Sequence, residues 1–303
     1  MPLALARVAG KLAQRAAGDG SDASTSRAIA PERRKRLALV AFTLVHGVGF
    51  TALRLNSNDL TRSETSRSTA RTLFALFTLA VTSFARVLGS DPGYVSGAEM
   101  ADAERLLEEA AEPGSGCARC DTSSTPLRAR HCRVCDKCVR KFDHHCFWVG
   151  TCVGERNHGR FWMFLAAQTA HAAYGTFVAL TGIVGATVNH STWREVFDDN
   201  VGSALAVGYL NLMLLFVMFL LVFHSYLLLS GQTTWEVSAQ KRVTYLKDLP
   251  SGSKPFDEGA VANVSAACYP ASIPRTWRVP SLAALEAKAN DQTFFQNDRY
   301  SCF

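Results

Sequence analysis

Four long apolar runs set the first limit on this chain. They are Leu37–Leu55, Thr72–Gly89, Phe161–Val188 and Ala204–Ser230, separated by polar and largely basic segments. A helix needs about 20 apolar residues to cross a bilayer core. In hydrocarbon the backbone must satisfy its own hydrogen bonds, so helices are the expected form. The last run, ALAVGYLNLMLLFVMFLLVFHSYLLLS, contains no acid, lysine or arginine. Arg86, about one turn from the end of the second run, can reach the headgroups along its stem. One such run can be the core helix of a soluble protein; four, two of them longer than 25 residues, favour a membrane protein. His46, His171, His190 and His224 fall in or beside these runs and are expected as neutral, hydrogen-bonded packing residues.

Charge orients the spans. RRKR (Arg33–Arg36) precedes the first one. Lys and Arg number eight in 1–36, ten in 90–160 and eight in 231–303, against five on the other side: Arg54 at the end of the first span, Arg62, Arg67, Arg71 and Arg194. The positive-inside rule then puts both termini and the middle segment in the cytosol. The expected fold class is a membrane protein, mainly α, with four transmembrane helices and a cytosolic cysteine-rich domain between helices 2 and 3. The expected layout is a cytosolic tail (1–36), spans 37–55 and 72–89 joined by a lumenal loop (56–71), and a cytosolic segment (90–160). Spans 161–188 and 204–230 follow, joined by a lumenal loop (189–203), then a cytosolic C-terminal region (231–303). The first thirty residues lack the long apolar core of a secretory signal. Residues 97–114 read as a solvated acidic helix or linker.

Seven of the nine cysteines lie between Cys117 and Cys152. With the interspersed histidines there are ten candidate metal ligands: Cys117, Cys120, His131, Cys132, Cys135, Cys138, His144, His145, Cys146 and Cys152. C-x-x-C pairs with histidines on a cytosolic segment point to zinc rather than disulfides. Structural zinc takes four thiolate or imidazole ligands, so two full sites use eight residues and leave two. The pairs Cys117/Cys120 and Cys132/Cys135 have the gap that lets both sulfurs reach one ion. Spacing leaves the partition open. Cys117, Cys120, Cys135 and Cys138 fit an all-cysteine site, two Cys3His sites fit equally well, and either His144 or His145 can be the one left over.

HCRVCDKC (His131–Cys138), DHHC (Asp143–Cys146), Cys152, Asn157 and Phe161 stand in one register. DPG (Asp91–Gly93) follows the second span, TTWE (Thr233–Glu236) follows the fourth, and PFDEGAVANV (255–264) contains Asn263. Together they resemble the DHHC-type protein S-acyltransferases, the membrane palmitoyltransferases, over roughly residues 35–265. Two departures stand out: the spacer from Cys120 to His131 is about one residue longer than usual, and Phe147 replaces the proline that normally follows the motif cysteine.

The resemblance implies one zinc on Cys117, Cys120, His131 and Cys138 and a second on Cys132, Cys135, His145 and Cys152. It leaves His144 and Cys146 free. Cys146 becomes the nucleophile, His144 its base, and Asp143 the carboxylate that fixes the imidazole tautomer. Because sequence neighbours usually point apart, the chain is expected to bend to bring His144 onto Cys146, constrained by the zinc on His145 and Cys152. The implied activity moves a fatty acyl group from acyl-CoA, through acyl-Cys146, to cysteines of membrane-associated proteins. Asn157, Thr233, Thr234, Glu236 and Asn263 are expected to brace the cytosolic domain. Among the cations around the zinc sites, Arg128, Arg130, Lys137 and Lys141, with Trp148 at the interface, are candidates for contact with the anionic CoA. Nucleic acid is not an expected partner, since the C-x2-4-C-x12-H-x3-5-H finger pattern is missing. The implied location is an endomembrane (Golgi or endoplasmic reticulum) ahead of the plasma membrane.

Overall fold

Four long helices carry the four apolar runs: α1 (Pro31–Leu55), α2 (Glu64–Val87), α3 (His158–Thr187) and α4 (Trp193–Leu229). The computed structural model describes residues 29–55, 64–98, 116–121, 125–187, 192–250, 252–270, 277–281 and 283–285. The tail at 1–28, His190 and the acidic segment from 99 to 114 lie outside them. The helices run past the apolar stretches. Residues 64–71 and 193–203, read from sequence as parts of loops, are helical. Local chemistry accounts for the extension of α4: Thr192 and Glu195 form a reciprocal capping box that satisfies two N-terminal N–H groups. At α1, Pro31 occupies the first helical position, where its missing N–H costs nothing.

The most extensive packing is between α3 and α4; α2 lies against α3, and α1 against α4. The outward faces stay apolar. Leu44, Phe50, Phe74, Leu205, Phe219 and Val222 are each more than 60% exposed. The segments Arg67–Val87 and Ala204–Leu229 are long and apolar enough to cross a membrane. A surface of that kind is unfavourable in water and favourable in lipid.

Between α2 and α3 the chain makes two short hairpins. Strand β1 (Arg130–Cys132) pairs antiparallel with β2 (Lys137–Val139), and β3 (His144–Cys146) with β4 (Thr151–Val153). A 3-10 turn, Phe147–Val149, links β3 to β4 and ends at Gly150, whose φ of 66° is left-handed. The second hairpin is the joint between this unit and the helices. Cys146, Val149 and Val153 share one buried cluster with Phe84 and Val87 of α2 and Phe161, Phe164 and Leu165 of α3. The hairpin is thereby seated on one end of the helical bundle.

After α4 the chain turns back under the hairpins through α5 (Thr234–Ala239) and α6 (Ala260–Cys268). Thr233 and Glu236 form the capping box of α5. Asn263 closes the end of α4: its Nδ2 donates to Leu229 O (2.8 Å) and Asp257 Oδ1 (2.6 Å), and its Oδ1 accepts from Glu258 N (3.1 Å). Gly231 sits between them at φ 64°, where an added Cβ would lie 2.9 Å from Phe256 O. Thr233, Glu236 and Asn263 each place side-chain polar atoms on backbone ends at this turn.

Candidate metal centres and thiol site

Strand periodicity sorts the ten candidate ligands. Consecutive strand residues face opposite sides. His131 pairs across the first hairpin with Cys138, while its neighbour Cys132 faces away. His145 pairs across the second hairpin with Cys152. Two four-donor groups result: Cys117, Cys120, His131 and Cys138, and Cys132, Cys135, His145 and Cys152, with donor atoms in each lying within 4.8 Å of one another. Cys117 and Cys120 meet through a tight turn closed by Cys120 N to Cys117 O at 3.1 Å.

Both groups fit zinc. A tetrahedral ion with zinc–sulfur near 2.3 Å and zinc–nitrogen near 2.0 Å spaces its donors about 3.5–3.8 Å apart. In the first group Cys120 Sγ is 3.3 Å from His131 Nδ1 and 3.6 Å from Cys138 Sγ. In the second, His145 Nδ1 lies 3.6, 3.5 and 3.5 Å from the sulfurs of Cys132, Cys135 and Cys152. No disulfide joins any of these cysteines. The second group is the more deeply buried, with Cys132, Cys135 and Cys152 all closed to solvent.

His144 and Cys146 belong to neither group. They lie two residues apart on β3, so they share the face opposite His145. The expected bend is not there. Cys146 has extended backbone (φ −105°, ψ 111°), and the strand's own alternation puts His144 beside it on the same face. Asp143, 1% exposed, stands behind His144 with Oδ2 2.6 Å from Nδ1. Two more donors fix that carboxylate: Thr234 N to Oδ1 at 2.7 Å and Thr234 Oγ1 to Oδ2 at 2.8 Å. Burial works to raise the Asp143 pKa, but the bond from His144 and the nearby imidazoles hold it well below the usual carboxylate range. Burial likewise works to lower the His144 pKa; its bonds to Asp143 and Cys146 outweigh that and raise it to about 10. Asp143 orients the ring through Nδ1, which leaves Nε2 for the sulfur.

Thr234 links the TTWE segment to this site directly. Glu236 does so at one remove, through a buried bidentate pair with Arg128: Nε to Oε1 and Nη2 to Oε2, both 2.7 Å. The Arg128 guanidinium also lies over the rings of Phe256 (4.2 Å) and Trp277 (4.5 Å). Arg128 is 3% exposed, so it is a structural cation and offers no face to a CoA phosphate. Replacing it with methionine would strand Glu236 in the interior. The expected result is a loss of about 3–5 kcal/mol of stability, read as a lower unfolding temperature of the purified chain, while Arg130→Met stays near wild type.

The other basic candidates are accessible to different degrees. Arg130 is exposed and stacks over Trp235 at 3.2 Å. Lys137 is exposed above Tyr94 (4.9 Å), and Lys141 is half-buried beside Trp277 (5.7 Å). Trp148 and Phe147 project at the 3-10 turn next to Cys146, 53% and 45% exposed for Phe147 and Trp148 respectively, as an apolar lip. Asn157 is fully buried, donating to Cys152 O (2.9 Å) and accepting from Gly154 N (2.9 Å), so it locks the strand that carries Cys152.

Two histidines near the site were not singled out for it by sequence. His224 of α4 lies with its ring 5.6 Å from that of His144 and is bonded to His158 at 3.0 Å. The expectation of hydrogen-bonded packing holds for His224, and for His46, which meets Phe42 O and Gln168 Oε1. Its closeness to His144 was not legible, because 80 residues of chain separate the two.

Residues 111–241 match the family described as DHHC palmitoyltransferase. Protein S-acyltransferase 10 of Arabidopsis thaliana is 34% identical over 152 residues, covering 50% of this chain and 42% of that protein. Palmitoyltransferase ZDHHC12 of Homo sapiens is 36% identical over 180 residues, covering 58% of this chain and 65% of that protein. The chain thus spans less than two thirds of either relative's length. With its two Cys3His groups and the Asp143–Cys146 run, the stretch from 111 to 241 is similar to the DHHC palmitoyltransferase domain.

Proposed function

We propose that this chain is a four-span membrane protein S-acyltransferase that works at the cytosolic face. One observation carries the reading. Eight of the ten Cys and His side chains between residues 117 and 152 gather into two four-donor groups, and the other two are a thiol and an imidazole on one strand face, backed by a buried carboxylate. The two groups would hold structural zinc, which cross-links the hairpins and leaves β3 rigid. Elemental analysis of the purified chain should find two zinc ions, and one would contradict the partition.

In the first half-reaction His144 Nε2 takes the Cys146 proton and the sulfur attacks the thioester carbonyl of a fatty acyl-CoA. The bond to the CoA sulfur breaks, and the proton passes from His144 to the departing thiolate. In the second, the thiol of a protein cysteine attacks acyl-Cys146, gives up its proton through His144, and the proton returns to the Cys146 sulfur. Each step exchanges one thioester for another, so the protein's contribution is activation and positioning.

The membrane supplies the acyl site. Burying a CH2 is worth about 0.8 kcal/mol, so a sixteen-carbon chain carries on the order of 12 kcal/mol of preference for apolar surroundings. Cys146 packs against the ends of α2 and α3, which supports an acyl chain running from its sulfur into the bundle. Arg130, Lys137 and Lys141 are the cations this reading keeps for CoA. The layout is both termini and the hairpins on the cytosolic side, with the α1–α2 and α3–α4 connections lumenal, in an endomembrane of the Golgi or endoplasmic reticulum.

The test uses the full chain in sealed vesicles. Labelled palmitoyl-CoA added outside should label it in a hydroxylamine-sensitive way when the hairpins face out, and the label should move to a cysteine of an added membrane-associated protein. Label that never leaves the chain would contradict transferase activity. Protease digestion of both connections along with the hairpins in intact vesicles would contradict the topology.

A further inference from the structure

The RRKR cluster at the start of α1 is not a uniform basic face. Arg33 and Arg36 are exposed, but Arg34 is 7% exposed and points into the protein. Its Nη1 donates to Cys135 Sγ, a donor of the second metal group. Tyr94, just after the DPG turn, bonds the same sulfur and also Arg34. Two segments far apart in sequence therefore converge on one sulfur.

Charge explains why that sulfur needs such partners. Three thiolates and one neutral imidazole around a divalent ion sum to a net charge of minus one. At the first group a neighbour is Asp136, 3.4 Å from His131 Nε2, and that carboxylate is well exposed. The second group lies deep in the protein, where water cannot screen its charge. A net charge in that setting is costly unless it is paired. A guanidinium suits the role, being always charged and weakly hydrated. An N–H donated to a ligand sulfur also fixes that ligand's direction.

The arrangement ties this centre to the first helix. An added Cβ at Gly150 would lie 3.0 Å from Arg34 O, so α1 sits directly on the turn that follows Cys146. The same helix contacts the 3-10 turn Phe147–Val149 and strand β4.

We infer that Arg34 is a positioning residue that neutralises the second zinc centre from outside its ligand set and clamps α1 onto the catalytic hairpin. The inference rests on the reading of that group as a zinc site, not on acyl transfer. It gives RRKR a second task besides orienting the chain in the membrane.

The experiment measures zinc, not turnover. Purified full-length chain is exposed to a colorimetric zinc chelator, and release is followed in wild type, Arg34→Gln, Arg34→Lys and the control Arg33→Gln/Arg36→Gln. Two ions should leave the wild type. In Arg34→Gln one of them should leave at least tenfold faster, or be missing at purification, with the other unchanged. Arg34→Lys, which restores the charge without the planar fork, should recover part of that difference. The double control should match wild type. Should Arg34→Gln not fold, the lysine variant decides: release of one ion a few-fold faster than wild type supports the inference. Wild-type release of both ions from Arg34→Gln or Arg34→Lys would overturn it. Equal acceleration of both ions would also overturn it, since the contact is to one group only. A wild-type chain with fewer than two zinc ions would overturn it together with the metal assignment.

Discussion

Cys152→Ala is expected to lose one zinc ion of two and, with it, acyl transfer by at least about a hundredfold. Cys152 is fully buried and lies across the second hairpin from His145, so one residue serves both the strand pairing and the metal group. Structural zinc contributes apparent binding energies of about 10–16 kcal/mol in small peptides at neutral pH, and a lost ligand forfeits much of that. The hairpin that carries His144 and Cys146 then loses the constraint on its far face. A surviving second zinc matters as a control, because it separates loss of one centre from loss of the fold. Zinc content and autoacylation measured on the same preparation check the prediction. Full zinc content, or a preserved autoacylation rate with one zinc, would show that β3 does not depend on this centre.

Asp143→Asn should keep both zinc ions and slow autoacylation by about 10²–10⁴-fold. The carboxylate faces three donors: Thr234 N–H, Thr234 Oγ1–H and the His144 ring. An amide has one acceptor oxygen and one NH2 group, so it cannot serve all three. With its oxygen on Thr234 N, the NH2 faces His144 Nδ1, and the ring must turn that nitrogen into an acceptor. The proton then sits on Nε2, where it faces the Cys146 sulfur and cannot take another. Substitutions of this kind in serine triads leave the geometry intact and cost about 10⁴ in rate through the wrong tautomer. Thr234→Val offers a graded companion: it removes one donor and should slow the reaction less, by about tenfold, because the Thr234 backbone bond stays.

Much of the site was legible because its chemistry is local. Ten ligand-type residues fall within 36 positions, and the two leftovers are two residues apart on one strand. What spacing could not settle was which donor joins which group. Adjacent His131 and Cys132 go to different groups because they lie on a strand, and nothing in their types says so. The same alternation removes the need for a bend between His144 and Cys146. Read as a strand, DHHC supplies the geometry without distortion.

The remaining differences come from contacts made across long separations. Arg128 looks like its basic neighbours in sequence. It becomes a buried structural cation only because Glu236, 108 residues later, is carried under it by α5. Arg34 looks like Arg33 and Arg36 until the first helix is seated against Cys135, 101 residues on. In both cases composition reports the charge, and only packing reports what answers it. The long helices were legible as apolar runs, but their starts were not, since Thr192 and Glu195 extend α4 through capping rather than hydrophobicity.

Mass spectrometry of the purified chain given palmitoyl-CoA decides whether the Cys146 sulfur carries the acyl group. One palmitoyl adduct is expected, mapped to the peptide containing Cys146, removed by hydroxylamine, and missing from a Cys146→Ser chain that still holds two zinc ions. An adduct retained in that variant, or mapped in the wild type to one of the eight metal-group residues or to Cys268, would contradict it.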